Sequence, residues 1–304
     1  MMRRVRFLVG GLVAVSVLGF LGDGWWALDL FAHFRLHYAL LVLPMLVYLL
    51  KKRDWRWALA AGLVLTLNAG FVAPLLWTAS PAPKDARSVK LLVVNVNRSN
   101  LDFESVAKFI RKTDPDFVGL VEVHGRWLEE LAVPLETYRY RAAIPRDDNF
   151  GIALYSRHEL LLNDVIEQPL TQFPTVRGIA KVHGERIQIA VVHLPPPISE
   201  KWSRARDAHL RQWAKMRADS TGRFVLMGDF NATPWSAAFR KVVHSTGMRR
   251  AGPGVAATWP SPLGFLGIPI DHVLIDGKLA PRSVEVGPDV GSDHRPLLVE
   301  LSLL

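Results

Sequence analysis

The chain has 304 residues, half of them hydrophobic, with a formal net charge of +9 and no cysteine. This length allows one large domain and an accessory segment, and the lack of cysteine excludes disulfides, thiolate metal sites and a cysteine nucleophile. The positive charge favours anionic partners such as nucleic acid, phosphorylated small molecules or anionic lipid, or it reflects a basic surface with no specific ligand.

Three apolar stretches occupy the N-terminal quarter of the chain, at Phe7–Leu21, Phe31–Leu50 and Trp55–Trp77. About 20 apolar residues in a helix cross the hydrocarbon core of a bilayer, so the second and third stretches qualify. The first qualifies if it continues through Trp26. A cleaved signal peptide is the alternative for the first stretch, but no small-x-small cleavage site follows it and two more spans do, which favours a retained helix.

The distribution of basic residues predicts the orientation of these spans, because cytoplasmic loops are enriched in Lys and Arg. Arginines precede the first stretch and a basic loop joins the second to the third, whereas the loop between the first two has no Lys or Arg. We therefore expect a multi-pass protein of the cytoplasmic membrane, with everything after residue 77 periplasmic or extracellular. His33, Arg35 and His37, near the start of the second stretch, are expected to extend to the membrane interface.

A Pro-rich segment, residues 78–87, separates this predicted anchor of residues 1–77 from a domain of mixed polarity, residues 88–304. Helical periodicity predicts helices over Leu101–Lys112, Ser199–Arg217 and Trp235–His244. Runs of β-branched and apolar residues predict strands at Val89–Val96, Phe117–Val121, Tyr138–Ala143, Gly151–Ser156, Leu160–Val165, Arg177–Val182, Arg186–His193, Phe224–Asp229, Ile270–Ile275, Ser283–Val286 and Leu297–Leu301. Two strand-rich halves, each with helices, indicate two packed sheets covered by helices.

Strand after predicted strand ends in a polar side chain that a buried core would not favour. These side chains are Asn95, Asn97, Glu122, His193, Asp229, Asn231, Asp271, Asp293 and His294. Asp229 and Asn231 point the same way if the strand continues, which suits a hard cation or a phosphate and its attacking water. Taken alone, the same pair suits a strand end with an Asx turn and a helix cap equally well.

Absent motifs narrow the chemistry further. The sequence has no Gly-x-Ser-x-Gly elbow, no His-Glu-x-x-His, no phosphate loop ending in Gly-Lys-Ser/Thr and no glycine-rich dinucleotide turn after a strand. Carboxylate, amide and water ligands suit Mg²⁺ or Mn²⁺ better than Zn²⁺. Metal-assisted attack of water on a phosphate ester fits this set of side chains.

The ordered motifs resemble the endonuclease/exonuclease/phosphatase superfamily, which includes DNase I-like nucleases, inositol polyphosphate phosphatases and sphingomyelinases. The segments that carry the resemblance are Asn95-Val-Asn97, Leu120-Val-Glu122, Gly151-Ile-Ala-Leu-Tyr-Ser-Arg157, Val192-His-Leu194, Gly228-Asp-Phe-Asn231, Ile270-Asp-His272 and Ser292-Asp-His-Arg-Pro296. Gly-Asp-Phe-Asn and Ser-Asp-His-Arg-Pro are highly specific together. The anchor suggests a membrane-anchored bacterial type.

The resemblance implies a four-layer α/β/β/α sandwich, preceded here by three transmembrane helices, with one divalent-metal site at the strand ends. Glu122 would be the principal ligand of Mg²⁺ or Mn²⁺, and Asn97 and Asp293 would complete the shell directly or through water. Asn95 would support these ligands or contact the phosphate.

The resemblance also implies catalytic roles. Asp229 would orient and deprotonate the attacking water, and Asn231 would hydrogen-bond the phosphate. His193 and His294 would stabilise charge on the phosphoryl oxygens, with His193 also contacting substrate. Asp271 would hold the ring of His294, or take part directly.

Three functions remain open. A membrane-anchored phosphoesterase would act on a phosphomonoester or phosphodiester of a lipid head group or small molecule. A nuclease would use Arg204, Arg211 and Lys215 as a nucleic-acid footprint. A non-catalytic membrane scaffold would have lost at least one of the motif residues, yet all are present. No obligate protein partner is evident.

Trp202, Trp235 and Trp259 lie in segments expected to approach the site. They could stack on a base or dip into lipid. Core packing is expected for at least two of them.

Overall fold

The computed structural model describes residues 1–76, 86–168, 171–220, 222–252 and 254–304. The end of the third apolar stretch and most of the expected Pro-rich linker fall in 77–85 and lie outside the described residues.

The N-terminal part consists of four helices: α1 (Met2–Leu18), α2 (Trp26–Ala32), α3 (Arg35–Lys51) and α4 (Trp55–Val72). Two segments, Met2–Asp23 and Trp55–Leu76, are long and apolar enough to cross a membrane. A third span exists only if α2 and α3, which meet at 52°, are counted as one bent span. The apolar stretch Phe31–Leu50 thus falls on both helices of this bent pair and not on one straight helix.

The break between α2 and α3 follows from polar side chains that bind the C-terminal domain. Asp29 Oδ1 accepts a hydrogen bond from the backbone N of Ala237 at 2.7 Å, and Asp29 Oδ2 lies 3.7 Å from Arg206 Nη2. His33 Nδ1 accepts from the backbone N of Thr233 at 3.4 Å. Buried polar groups need partners, so α2 leaves the line of α3 and packs on the domain.

Two of the three polar residues expected to extend to the membrane interface, His33 and Arg35, instead pack against other parts of the protein. His33 and Arg35 are both buried, and Arg35 Nη1 donates to Asn68 Oδ1 at 3.4 Å. The Arg35 guanidinium also lies 4.4 Å from the ring centroid of Phe20 and 4.0 Å from that of Phe71. These contacts join the ends of α1, α3 and α4 on the side of the anchor where the domain sits.

The C-terminal domain contains two six-stranded sheets. The first has the order β11-β12-β1-β2-β4-β3, where the strands are β1 (Ser88–Asn95), β2 (Phe117–Val121), β3 (Tyr140–Ile144), β4 (Ile152–Ser156), β11 (Leu279–Val286) and β12 (Leu297–Leu303). The second has the order β5-β6-β7-β8-β10-β9, where the strands are β5 (Leu160–Glu167), β6 (Pro174–Val182), β7 (Glu185–His193), β8 (Arg223–Asp229), β9 (Arg249–Arg250) and β10 (Asp271–Ile275). β1 and β2 are parallel, as are β7 and β8.

Helices cover the outer faces of both sheets. They are α5 (Phe103–Thr113), α6 (Gly125–Glu130), α7 (Glu200–Ala218) and α8 (Ala237–Thr246). One apolar core fills the space between the sheets, a second lies under α5 and α6, and a third under α7 and α8. The domain is thus a four-layer sandwich, and every strand and helix expected in it forms. The short elements α6 and β9 were not expected, because six and two residues carry too little periodicity.

Gly228 allows β8 to deliver the motif that follows it. Its φ of 141° lies in a region that L side chains rarely adopt, and a Cβ there would lie 1.9 Å from the carbonyl oxygen of Val192. The absence of a side chain therefore lets β7 and β8 approach at the point where both strands end.

We predict that Gly228→Ala destabilises the protein by more than about 2 kcal/mol, since backbone strain and a backbone clash add. Gly184→Ala is the matched control, because Gly184 has a φ of 92° but nothing within 4 Å of its Cβ position. Thermal unfolding followed by tryptophan fluorescence would compare the two variants. Equal losses would contradict the close approach of β7.

A second prediction concerns the docking of α2. Asp29→Ala leaves the buried Arg206 with only the half-exposed Asp207 as a partner and removes an acceptor at the first turn of α8, so we expect a loss of about 3 kcal/mol. Asp23→Ala is the control, because Asp23 is 56% exposed and pairs with Lys241 at 3.1 Å. An exposed pair contributes about 1 kcal/mol at most. Similar unfolding midpoints for both variants would contradict a tightly docked α2.

Candidate active site

The centre of the site is one row of side chains across the second sheet. In the pairing register, Asp229 of β8 lies opposite His193 of β7 on one side and Asp271 of β10 on the other. Residues opposite one another in a sheet project to the same face. All three side chains are buried, at 3% exposure or less.

The first sheet brings an amide and a carboxylate to the same place. Asn95, the last residue of β1, donates through Nδ2 to Glu122 Oε1 at 3.1 Å and to Asp229 Oδ2 at 3.2 Å. Asn95 thereby links the carboxylate of Glu122, which follows β2, to that of Asp229, which ends β8.

Asp229 faces both candidate imidazoles. Its Oδ2 lies 3.5 Å from His193 Nε2 and 3.7 Å from His294 Nε2. Burial, together with the nearby Asp271 carboxyl, raises the pKa of Asp229 to about 6.

His294 is held by a carboxylate on its other ring nitrogen. Nδ1 lies 2.8 Å from Asp271 Oδ2. Burial disfavours the charged ring, but the carboxylates of Asp271 and Asp229 outweigh it and raise the pKa of His294 to about 10. A protonated ring between two carboxylates follows.

His193 and Asn231 are oriented by backbone carbonyls. His193 Nδ1 donates to the Asn149 carbonyl at 2.8 Å, and His193 Nε2 lies 3.4 Å from Asn231 Nδ2. Asn231 Nδ2 also donates to the Leu194 carbonyl at 2.8 Å. The polar ends of the His193 and Asn231 side chains are thereby held next to Asp229.

Asn97 and Asp293 form the outer part of the cluster. Asn97 Nδ2 donates to Asp293 Oδ1 at 2.7 Å, and Trp259 Nε1 donates to Asp293 Oδ2 at 3.1 Å. Asn97, Glu122 and Asn231 all have positive φ, between 47° and 64°. Such backbone conformations concentrate at functional sites, where surrounding contacts maintain them.

The oxygens of this cluster fit a hard divalent cation. Glu122, Asn97 and Asp293 offer carboxylate and amide oxygens with lone pairs beyond those used in hydrogen bonds. Asp229, Asp271 and His294 also place candidate ligand atoms within 4.8 Å of one another. Within the group of Asp229, Asp271 and His294, Asp271 and His294 are hydrogen-bonded to each other. This contact suits a role of Asp271 in orienting the His294 ring.

The cluster lies in a cleft of about 770 Å³.

Residues 92–294 match the endonuclease/exonuclease/phosphatase family. The chain belongs to this family. No curated protein matches the sequence.

Solved structures share the fold of this family member. A family protein from Beutenbergia cavernae has a TM-score of 0.61 at 18% identity, covering 71% of this chain and 72% of its own. The catalytic domain of human Nocturnin, with bound sulfate, has a TM-score of 0.58 at 18% identity, covering 71% and 95%. TDP2 from D. rerio, complexed with a single-stranded DNA product, has a TM-score of 0.58 at 16% identity, covering 71% and 99%.

Sequence reasoning missed several residues that line the cleft of this family member. Leu30, His33 and Phe34 reach it from the anchor, and Phe150 stacks on Phe173 with ring centroids 3.5 Å apart. Asp148, Asn149 and Phe150 precede β4, where Gly151 cannot carry a Cβ because Val123 O would lie 1.8 Å away. The glycine at position 151 is the sequence signal that the loop before β4 packs closely against the site.

The tryptophans differ from expectation. Trp235 is buried, but Trp202 and Trp259 both line the cleft. Core packing of at least two of the three is therefore wrong, because the first turn of α7, which carries Trp202, and the loop that carries Trp259 form walls of the cleft.

Proposed function

We propose that this protein is a divalent-metal-dependent phosphoesterase, tethered to the membrane and facing away from the cytoplasm, that hydrolyses a phosphodiester or phosphomonoester by in-line attack of water. The observation that carries the proposal is the buried Asp229 carboxylate, which faces His193 Nε2 and His294 Nε2 within 3.7 Å at the end of a cleft. Members of the family are hydrolytic phosphoesterases and nucleases, so the arrangement supports the same class of reaction here.

In the proposed reaction, a bond forms between the water oxygen and phosphorus while the bond from phosphorus to the ester oxygen breaks. Asp229 receives the proton of the water, since it is the carboxylate that faces the Nε2 atoms of both imidazoles. The ester oxygen leaves with the bonding electrons and takes a proton from solvent. His193 and His294 stabilise charge on the phosphoryl oxygens.

Other residues orient these groups. Asn231 is proposed to hydrogen-bond the phosphate through the amide that the Leu194 carbonyl positions. Asp271 holds the ring of His294, and Asn95 keeps Glu122 and Asp229 at a fixed separation.

Glu122, Asn97 and Asp293 are the residues proposed to hold Mg²⁺ or Mn²⁺. When bound, the cation would polarise a phosphoryl oxygen and promote ionisation of water. Asn97 and Trp259 hold the Asp293 carboxylate in place from both sides.

The charge distribution of the anchor supports the proposed orientation. Arg3, Arg4 and Arg6 lie at the start of α1, and a basic loop joins α3 to α4. Arg6 Nε lies 2.8 Å from Asp54 Oδ2, so these two basic regions meet at one end of the anchor. The domain contacts α2, the start of α3 and the 3-10 turn after α4 at the opposite end.

The nuclease alternative has less support. Arg204, Arg211 and Lys215 are exposed on α7 but do not line the cleft, and none of the described residues that do line it is Lys or Arg. A nucleic acid strand needs a basic track along its phosphates. If the protein were a non-catalytic scaffold, the assembly of all these polar side chains into one cluster would have no explanation.

We predict that Asp229→Asn lowers kcat at least about 100-fold, because the proton acceptor is removed. Activity of the full chain would be followed with bis(4-nitrophenyl) phosphate in Mg²⁺ or Mn²⁺ and again after chelation with EDTA, which we expect to abolish turnover. The control is Asp164→Asn, whose side chain pairs with Arg177 between β5 and β6. Hydrolysis that survives both Asp229→Asn and EDTA would refute the proposed function.

A separate prediction tests the positioning role of Asp271. Asp271→Asn should lower kcat by about 10 to 100-fold with little change in KM, because the His294 ring loses both its orientation and the charge that stabilises its protonated form. The unfolding midpoint is measured alongside, since Asp271 is buried. A change confined to KM would indicate that Asp271 acts on substrate binding instead.

A further inference from the structure

The membrane anchor forms part of the wall of the active-site cleft. Leu30 at the end of α2 and Phe34 at the break before α3 both line it, together with His33. The hydrogen bond from Thr233 N to His33 and the contacts of Asp29 with Ala237 and Arg206 hold this turn against the domain. The cleft is therefore lined by residues of both the N-terminal helices and the C-terminal domain.

The polar groups of the cleft are gathered at the ends of the central strands, and most of the other walls are apolar. The apolar side chains include Leu30, Phe34, Ile198, Trp202, Trp259 and Ile268. The volume of about 770 Å³ is in the range of clefts that enclose whole small molecules, which is far more than a phosphate group requires. A ligand with a sizeable apolar part next to its phosphate would fill such a cleft.

Exposed apolar side chains surround the cleft on the side of the anchor. Ile198 lines the cleft and is 70% exposed. The 3-10 turn Ser261–Leu266 carries Phe265, 82% exposed, and its last carbonyl lies 2.6 Å from His37 Nε2 of α3. Large exposed apolar groups beside a membrane helix are typical of insertion into the lipid interface.

The charges in the cleft indicate how many phosphates the ligand carries. Four carboxylates line it, from Glu122, Asp148, Asp229 and Asp293, and the described lining residues include no Lys or Arg. Asp148 is paired with Arg146 outside the lining, at 2.6 Å, so the imidazoles and a cation held by the other three carboxylates would offset negative charge on a ligand. One phosphate group fits this balance, whereas a chain of phosphates would meet uncompensated carboxylates.

We infer that the cleft takes a phosphate ester of a long-chain, lipid-type alcohol directly from the adjoining membrane leaflet. The phosphate would lie at Asp229 and His294, and the chain between Phe34 of the anchor and Ile198 of the domain. This inference rests on the proposed phosphoesterase activity and specifies its class of substrate.

The test compares two esters that release the same product, 4-nitrophenolate. Dodecyl 4-nitrophenyl phosphate carries a chain and bis(4-nitrophenyl) phosphate does not. The full chain is assayed in phospholipid nanodiscs with Mg²⁺ or Mn²⁺, and kcat/KM is measured for both. We expect Phe34→Ala and Ile198→Ser each to lower the long-chain to short-chain ratio about tenfold, which is about 1.4 kcal/mol.

The control is Leu59→Ala, at a lipid-facing position of α4 that is 67% exposed and does not line the cleft. This variant should leave the ratio unchanged. Phe34 and Ile198 are 43% and 70% exposed, so their replacement should leave the unfolding midpoint close to that of the unmodified protein.

The outcomes separate the two proposals. If neither ester is hydrolysed in a metal-dependent manner, or if Asp229→Asn stays fully active, the phosphoesterase proposal fails and the inference fails with it. If both esters are hydrolysed and Asp229→Asn is inactive, but Phe34→Ala and Ile198→Ser leave the ratio unchanged, only the lipid inference fails. A single-stranded DNA oligonucleotide hydrolysed with a higher kcat/KM than the dodecyl ester would also overturn it.

Discussion

The structure depends on one row of the second sheet, where His193, Asp229 and Asp271 lie opposite one another in register. Two carboxylates side by side in a buried row repel each other. Their placement requires positive charge and hydrogen-bond donors nearby, which His294, His193 and Asn95 provide. Gly228 allows the row to form, because a side chain there would collide with Val192. The cluster is therefore a consequence of how two strands approach as they end.

The first sheet also supplies hydrogen-bond donors to these buried carboxylates. Asn95 ends β1 and donates to both Glu122 and Asp229, while Ser292 Oγ donates to the Asn95 carbonyl at 2.7 Å and accepts from the backbone N of His294 at 3.0 Å. The two sheets thus meet through hydrogen bonds at one rim and through apolar side chains between their faces. Because the cluster spans both sheets, the packing of the sandwich sets the distances between its carboxylates and imidazoles.

The N-terminal helices are joined to this domain by buried polar contacts. Asp29 and Arg206 are each about 2% exposed, and Asp29 accepts from the first turn of α8, where the helix dipole favours a negative charge. A buried charged pair tolerates little displacement, since Asp29 loses its charged partner if Arg206 moves away and Arg206 is left with Asp207 alone. Leu30 and Phe34, one and five residues further along, are held at the cleft by the same contacts.

The sequence by itself determined the strands, the main helices, the family and the polar residues at the strand ends, because β-strand runs and motifs such as Gly228-Asp-Phe-Asn231 are local patterns. Hydropathy alone could not separate α2 from α3, since the partners of Asp29 and His33 lie about 200 positions away. Nor could it assign Trp202 and Trp259 to the cleft walls or place Phe34 beside the site. Only tertiary structure decided these points, because burial and pairing between distant segments depend on how the layers pack.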